Sequence, residues 1–231
     1  MGMIYVVRHA QAAFGTDDYD RLTQTGVEQA RLLGAHFERR RIRFDAVYTG
    51  TLRRHIETAQ GIVEQRVNAG AASTSRRFPG LDEYDPEALV LAFKGELAAP
   101  DPAAALRDPH SMREHFRVLK EALIAWTEDR IQPVGMPAWQ AFQDGAVAAL
   151  IEAREQFPDG NVLVVSSGGP IAAIVAATLK APAHTAVELN LRMRNSSLTE
   201  FASTARRHAL VSFNALPHLE THPDPGLITY A

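Results

Sequence analysis

Arg8 and His9 stand together directly after the first apolar run of the chain, Met3-Ile4-Tyr5-Val6-Val7. A neutral imidazole is nucleophilic near neutral pH, and a guanidinium holds phosphoryl oxygens through a planar pair of N–H donors. The pair is therefore suited to chemistry on an anion. Alone it is weak, since a helix-edge arginine beside a satisfied buried histidine would read the same.

Composition removes several competitors. The 231 residues contain no cysteine, which excludes disulfides, thiolate nucleophiles, Cys-ligated zinc and iron–sulfur clusters. Nine histidines remain, with the carboxylates and arginines. His218 and His222 flank Glu220 as His-x-Glu-x-His. The zinc-protease motif instead puts its acid directly after the first histidine on a helix, so no metal and no other cofactor is expected. Ser166-Ser167-Gly168-Gly169 lacks the Gly-x-Ser-x-Gly elbow of serine hydrolases. With 24 Lys+Arg against 27 Asp+Glu, a formal charge of −3, the chain lacks the cationic excess of a nucleic-acid binder. The five-residue apolar start is too short for an export or membrane signal, so a soluble, cytoplasmic protein is expected.

The elements that must position Arg8 and His9 follow from periodicity. Met3–Val7 reads as a buried parallel strand, whose carboxyl end is the usual ligand edge. Thr25 and Glu28 suggest a capping box for a helix running to about Arg41, with Val27, Ala30, Leu33 and Phe37 on one face. Phe44–Thr49 reads as a strand and Leu52 to about Val67 as a helix. Prolines cluster from 76 to 138 around helical stretches near Glu87–Phe93 and Met112–Arg130, which suggests an inserted helical cap. Helix Trp139–Gln156, strand Val162–Val165, a helix opened by Gly168-Gly169-Pro170, and strands near Ser197–Phe201 and Ala209–Phe213 complete the alternation. The expectation is one domain, 1–231, built as a three-layer α/β/α sandwich on a mostly parallel sheet.

Four further segments bear on Arg8-His9. They are Leu22-Thr23-x-x-Gly26-x-x-Gln29-Ala30, Tyr48-Thr49-Gly50-Thr51-Leu52-Arg53-Arg54-x-x-x-Thr58-Ala59, Leu81-Asp82-Glu83 and Val164-Val165-Ser166-Ser167-Gly168-Gly169. In order and spacing these resemble the histidine phosphatase superfamily, the phosphoglycerate mutase-like proteins, over about Met3 to Phe213. The resemblance implies that His9 is the nucleophile and forms a phosphohistidine, that Arg8 and Arg54 clamp the phosphoryl oxygens, and that Glu83 protonates the leaving oxygen. Gln11, Ser167 and Gly168 fall at substrate-binding positions. Arg53 is the competing choice for Arg54, and Asp82 and Asp85 for Glu83.

One position departs from the pattern. Where the family reads Ser-His-Gly-Gly, this chain reads Ser166-Ser167-Gly168-Gly169, so a charge-assisted donor to the phosphoryl group is replaced by a neutral hydroxyl. Loss of one such donor costs ~10²–10³ in rate in oxyanion sites. Free N–H groups at the helix start after Ser167 would still favour an anion. His55, one step round the helix from Arg54, reads as an exposed helix histidine. His218, folding back over the phosphate, is the other candidate for the missing ring.

The reading is a phosphomonoester hydrolase weakened by Ser167, in which Ser167→His should raise turnover. The alternatives are a catalytically impaired phosphate-binding or regulatory protein and, behind it, a phosphoglycerate mutase. The partner is a small phosphorylated substrate. Neither nucleic acid nor membrane is expected, and exposed strand edges leave a homodimer open. Trp126, Trp139, Phe93 and Phe116, with Arg107 and Arg113, are the cap residues that could select a substrate, although core packing or surface charge explains them more simply.

Overall fold

The computed structural model describes residues 2–13, 15–16, 18–65, 74–94 and 109–230, and for 109–113 and 115 the backbone alone. Arg107 and the side chain of Arg113 thus lie outside the described residues. Six strands are formed: β1 (Gly2–Arg8), β2 (Ala46–Thr49), β3 (Thr74–Arg77), β4 (Asn161–Ser166), β5 (Leu198–Thr204) and β6 (Arg207–Ala215). Among the described residues the α-helices are α1 (Gln24–Arg39), α2 (Arg53–Glu64), α3 (Pro86–Lys94), α4 (Pro109–Thr127), α5 (Trp139–Gln156), α6 (Gly168–Leu179) and α7 (Ala183–Asn190).

The sheet order is β3-β2-β4-β1-β5-β6. The first four strands run parallel, and β5 and β6 continue antiparallel beyond β1. Both faces of β1, β2 and β4 are covered, which is why their sequences are apolar runs, whereas the edge strand β3 is polar and largely exposed. Tyr5 and Val7 point into a core shared with Val47, Leu163 and Val165, closed by Ala30, Leu33 and Phe37 of α1 and Ala59 and Ile62 of α2. Ile4 and Val6 face the other way, with Tyr48, Val162 and Val164, under Phe142 and Leu150 of α5 and Ile171 of α6. Alternation along one strand therefore separates two helical layers, giving the expected three-layer α/β arrangement.

Leu89 of α3 and Leu119, Leu123 and Trp126 of α4 belong to the same core as Ile4 and Val6. Trp126 stacks edge-on against Trp139 at 5.2 Å and donates its indole N–H to the Pro137 carbonyl. These aromatics pack the interior, the simpler of the two roles the sequence left to them.

Helix α1 differs from the sequence expectation at both ends. Thr23, not Thr25, caps α1, its Oγ1 accepting from the Gly26 N–H at 3.0 Å. The Thr23 N–H is itself tied to the Gln11 carbonyl, which holds the chain extended up to that point. Glu28 cannot complete a capping box, since its carboxylate is taken by Arg31. The helix also ends at Arg39, because Arg41 adopts the left-handed region at φ 54°. No helix among the described residues is long and apolar enough to cross a membrane.

Candidate active site

Strand register brings the sequence motifs together. Arg8 lies opposite Ser166 in the β1·β4 pair, so His9 and Ser167 leave the sheet side by side, and the His9 N–H donates to the Ser166 carbonyl at 2.8 Å. On the other side of β4, Thr49 lies opposite Val165. Gly50 and the start of α2 therefore emerge at the same edge, carrying Arg54 and His55.

His9 is buried at 4% exposure. Its Nδ1 sits 2.8 Å from the Ala10 carbonyl oxygen. A nitrogen facing a carbonyl can only donate, so Nδ1 carries the proton and Nε2 the free lone pair. Burial, reinforced by the charges of Arg8 and Arg54, holds the ring well below its ordinary pKa of 6.5, so the imidazole is neutral at physiological pH.

The loop carrying this ring is anchored by the other motif residues. The Ala10 N–H donates to Thr58 Oγ1 at 3.0 Å, and the Gln11 N–H to Gln29 Oε1 at 2.8 Å. Thr23 Oγ1 donates to Gln11 Oε1 at 2.7 Å. Gly26 is required by proximity, since a Cβ there would stand 2.2 Å from the Gln11 carbonyl oxygen. Ala10 keeps a negative φ, so the loop accommodates its methyl group without strain.

Both arginines of the motif are buried and turn toward this edge. Arg8 Nη1 donates to the Met193 carbonyl at 2.5 Å, while Arg54 Nη1 lies 2.7 Å from Asp20 Oδ1 and its guanidinium covers the Tyr19 ring at 5.1 Å. Each keeps a buried Nε with no hydrogen-bond partner. Buried donors are normally satisfied, so two adjacent orphans mark a place for an acceptor. Arg53 instead points outward, paired with Glu57 and Asp18.

The three acids near 83 separate in the same way. Asp82 accepts from the Thr51 N–H and hydroxyl, and Asp85 caps α3 through the N–H groups of Glu87 and Ala88. Glu83 alone is turned inward, its Oε1 accepting from the Gly169 N–H at 3.1 Å. Burial raises its pKa against the opposing pull of that hydrogen bond and of Arg8 and Arg54. This corrects one expectation: the Gly169 N–H at the start of α6 is taken by Glu83 and is not free for a phosphate. Gly168 is packed on Asn190, where a Cβ would meet Oδ1 at 2.2 Å and would lie 3.8 Å from Arg8 Nε.

The larger correction concerns His55. It is fully buried, not exposed. Its Nε2 lies 2.7 Å from Ser167 Oγ, and its ring centre 5.7 Å from that of His9. The sequence marked Ser167 as a departure but gave no sign that His55 meets it, because their contact depends on the β2-β4-β1 order. His218 packs elsewhere, its Nε2 2.9 Å from Ser196 Oγ, and His222 accepts from the Asp224 N–H. Among the described residues no group of three His, Asp or Glu side chains is placed to hold a metal ion.

A cavity of about 530 Å³ opens beside His9, with Gln11, Tyr19, Arg21, Asn195 and Tyr230 among its lining residues. Tyr230 is brought there by the C-terminal segment. Thr229 accepts from Gln29 Nε2 and donates to Asn195 Oδ1.

The chain is similar in fold to several solved proteins. Bacillus stearothermophilus YhfR superposes with a TM-score of 0.69 at 18% identity, covering 95% of this chain and 100% of its own. A phosphoserine phosphatase from Entamoeba histolytica, solved with 3-phosphoglyceric acid, gives 0.64 at 19% identity over 95% and 100%. A mycobacterial glucosyl-3-phosphoglycerate phosphatase, solved with VO3, gives 0.62 at 22% identity over 92% and 99%. The sequence model of the histidine phosphatase superfamily (branch 1) matches residues 4–89 and 106–216. With that match over most of its length, and with its ordered motifs gathered at one sheet edge, the chain belongs to the histidine phosphatase superfamily.

Proposed function

We propose that the protein hydrolyses small phosphomonoesters through a phosphohistidine at His9, with no metal or other cofactor. The observation that carries this reading is the His9 ring itself: neutral, tautomerically fixed by the Ala10 carbonyl, and flanked by two arginines with unpartnered buried donors.

Nε2 of His9 attacks phosphorus and the ester P–O bond breaks. Arg8 and Arg54 hold the equatorial oxygens, where charge must be stabilised. Glu83, whose acid form burial favours, gives its proton to the leaving oxygen. The resulting carboxylate then takes a proton from water as that water attacks the phosphohistidine, which releases phosphate and restores the Nε2 lone pair. Gln11, Ser167 and Gly168 line the bound group. The leaving group extends into the cavity beside Tyr19, Arg21 and Tyr230, a mixture of aromatic faces and one cation suited to a polar organic alcohol.

Ser167 also favours a second reading, a protein that binds phosphate ligands without useful turnover. A panel of phosphoesters decides between them, with p-nitrophenyl phosphate, phosphoserine and 3-phosphoglycerate included. The hydrolase reading expects release of inorganic phosphate by the wild type and none above background from His9→Ala. Thermal stabilisation by phosphate or vanadate, with no hydrolysis of any member, establishes the binding protein instead.

A further inference from the structure

His55 is an expensive residue to bury. It is fully enclosed, it makes one hydrogen bond, to Ser167 Oγ at 2.7 Å, and its Nδ1 has no hydrogen-bond partner. Packing alone would be served better by an apolar side chain, because a buried polar atom without a partner loses its hydration with no compensation. The surroundings are nevertheless shaped for the ring. Gly50 stands where a Cβ would lie 2.2 Å from His55 Nδ1 and 2.4 Å from Asp82 Oδ1. Asp82, held by Thr51, faces that nitrogen at 3.7 Å. At the other end, Ser167 sits among the groups that surround the reacting phosphoryl: it follows Ser166, the register partner of Arg8, and it precedes Gly168 beside Arg8 Nε and Gly169, which binds Glu83.

We propose that His55 and Ser167 work as one two-residue donor to the phosphoryl group, with His55 as a positioning residue that acts through the Ser167 hydroxyl and is backed by Asp82.

This inference rests on the phosphatase reading for its substrate but on its own geometry for the relay. In the empty site His55 is neutral, held at about 3 by burial and by Arg54, and Nε2 accepts the Ser167 proton. A bound phosphoryl dianion reverses that polarity. His55 takes one proton from solvent, Nε2–H now donates to Ser167 Oγ, and the Ser167 O–H is released to a phosphoryl oxygen. The charged groups facing the ring are Arg54 on its own helix and Asp82 from the segment after β3, and the titratable but neutral His9 faces it from the end of β1. Among these only Asp82 favours the imidazolium, and its carboxylate waits 3.7 Å from Nδ1 for that state. A charge-assisted donor, which a lone serine cannot supply, is thereby recovered from a second strand-to-helix junction. The loss of rate expected from Ser167 alone does not follow. Ser167→His alone also brings no gain, because the His55 ring already fills the space.

Turnover of p-nitrophenyl phosphate is compared in wild type, His55→Gln, Ser167→Ala, the double variant and the exchanged pair His55→Ala/Ser167→His. Each single change should lower kcat by about 10²-fold, as removal of one oxyanion donor does. The double should be no slower than the worse single, since residues acting as a unit are not additive. The exchanged pair should recover most of the loss, because it returns one imidazole donor to the place the two residues share. Wild-type kcat in His55→Gln, or losses that multiply in the double, overturns the proposal. A second arm needs no turnover: nitrogen NMR of the histidine rings during titration with orthovanadate. His55 should become imidazolium in wild type and stay neutral in Ser167→Ala; a ring that stays neutral in wild type overturns the relay. Should His55 respond while His9 forms no phosphoenzyme, the pair stands and the hydrolase reading falls. Should the phosphoenzyme form with both arms silent, the reverse holds.

Discussion

Asp20 Oδ1 lies 2.7 Å from Arg54 Nη1, and the same carboxylate accepts the Arg53 N–H at 2.7 Å at the start of α2. One acid thus caps the helix that carries the phosphate clamp and occupies one prong of the clamp. Leu52, the local cap residue, offers no side-chain acceptor, so the capping role falls to Asp20. An arriving phosphoryl group must compete with this carboxylate. Asp20→Asn keeps an acceptor for the helix N–H and removes the competing charge. It should lower the inhibition constant for inorganic phosphate by a few-fold, the scale of a half-exposed ion pair worth about 1 kcal/mol or less, with the melting temperature nearly unchanged. An unchanged inhibition constant would show that Asp20 does not compete for Arg54.

Two opposite shifts set the pH dependence. Burial holds His9 well below 6.5 and raises Glu83 above the ordinary carboxylate range. The active form has His9 neutral and Glu83 protonated. The acid limb of kcat/KM therefore comes only at low pH, as His9 takes a proton, and the alkaline limb comes as Glu83 loses its own. Glu83→Gln should lose ~10²–10⁴ in rate, the scale of a general acid, together with the alkaline limb. An alkaline limb that survives in Glu83→Gln assigns the proton donor elsewhere.

Thr58 links α2 to the nucleophile loop, donating to the Arg54 carbonyl at 2.7 Å and accepting from Ala10 at 3.0 Å. Thr58→Val keeps the shape and orphans the buried Ala10 N–H, which costs about 1–3 kcal/mol. Stability measured in urea should fall by that amount and kcat should fall with it, because the His9 ring loses its fixed register. Full activity in Thr58→Val would mean that the loop is held by Gln29 and Gly26 alone.

The layers of the fold were legible because most elements are written in a local pattern: Met3–Val7 as a strand buried on both faces, Ala30, Leu33 and Phe37 as a helical stripe, although Val27, expected on that face, is exposed, and the polar β3 and the short α7 were not read. Arg8, His9, Arg54 and Glu83 were legible because each occupies a defined place in an ordered motif. His55 was not, since solvent exposure judged from a single helix ignores what the sheet order places against it. The cap of α1 was placed at Thr25 for a similar reason: Thr23 is held in the capping position by Gln11, a residue outside its own helix. In both cases the deciding partner is distant in sequence and adjacent only across the sheet edge.

Acid stability gives a test independent of turnover. His55 and His218 are each held at about 3 by burial, against 6.5 in an unfolded chain. Between those values the unfolded chain binds more protons, so their stabilising contribution is complete above about 6.5 and is lost as pH falls toward 3. The slope approaches ~1.4 kcal/mol per pH unit for each ring. His218→Gln keeps a partner for Ser196 and should flatten the dependence by about one histidine's share. An unaltered slope in urea melts from neutral to acid pH would mean that His218 is solvated in the folded state.

On the proposed route phosphate passes through Nε2 of His9, which mapping of the trapped intermediate checks. Wild type is mixed with p-nitrophenyl phosphate, quenched in alkali within a single turnover, digested and sequenced by mass spectrometry, with phosphorus NMR assigning the ring nitrogen. Phosphate is expected on His9 at Nε2, the nitrogen left free by the Nδ1 bond to Ala10. Phosphate on Ser167, on Nδ1 of His9, or on no residue while hydrolysis proceeds would contradict it.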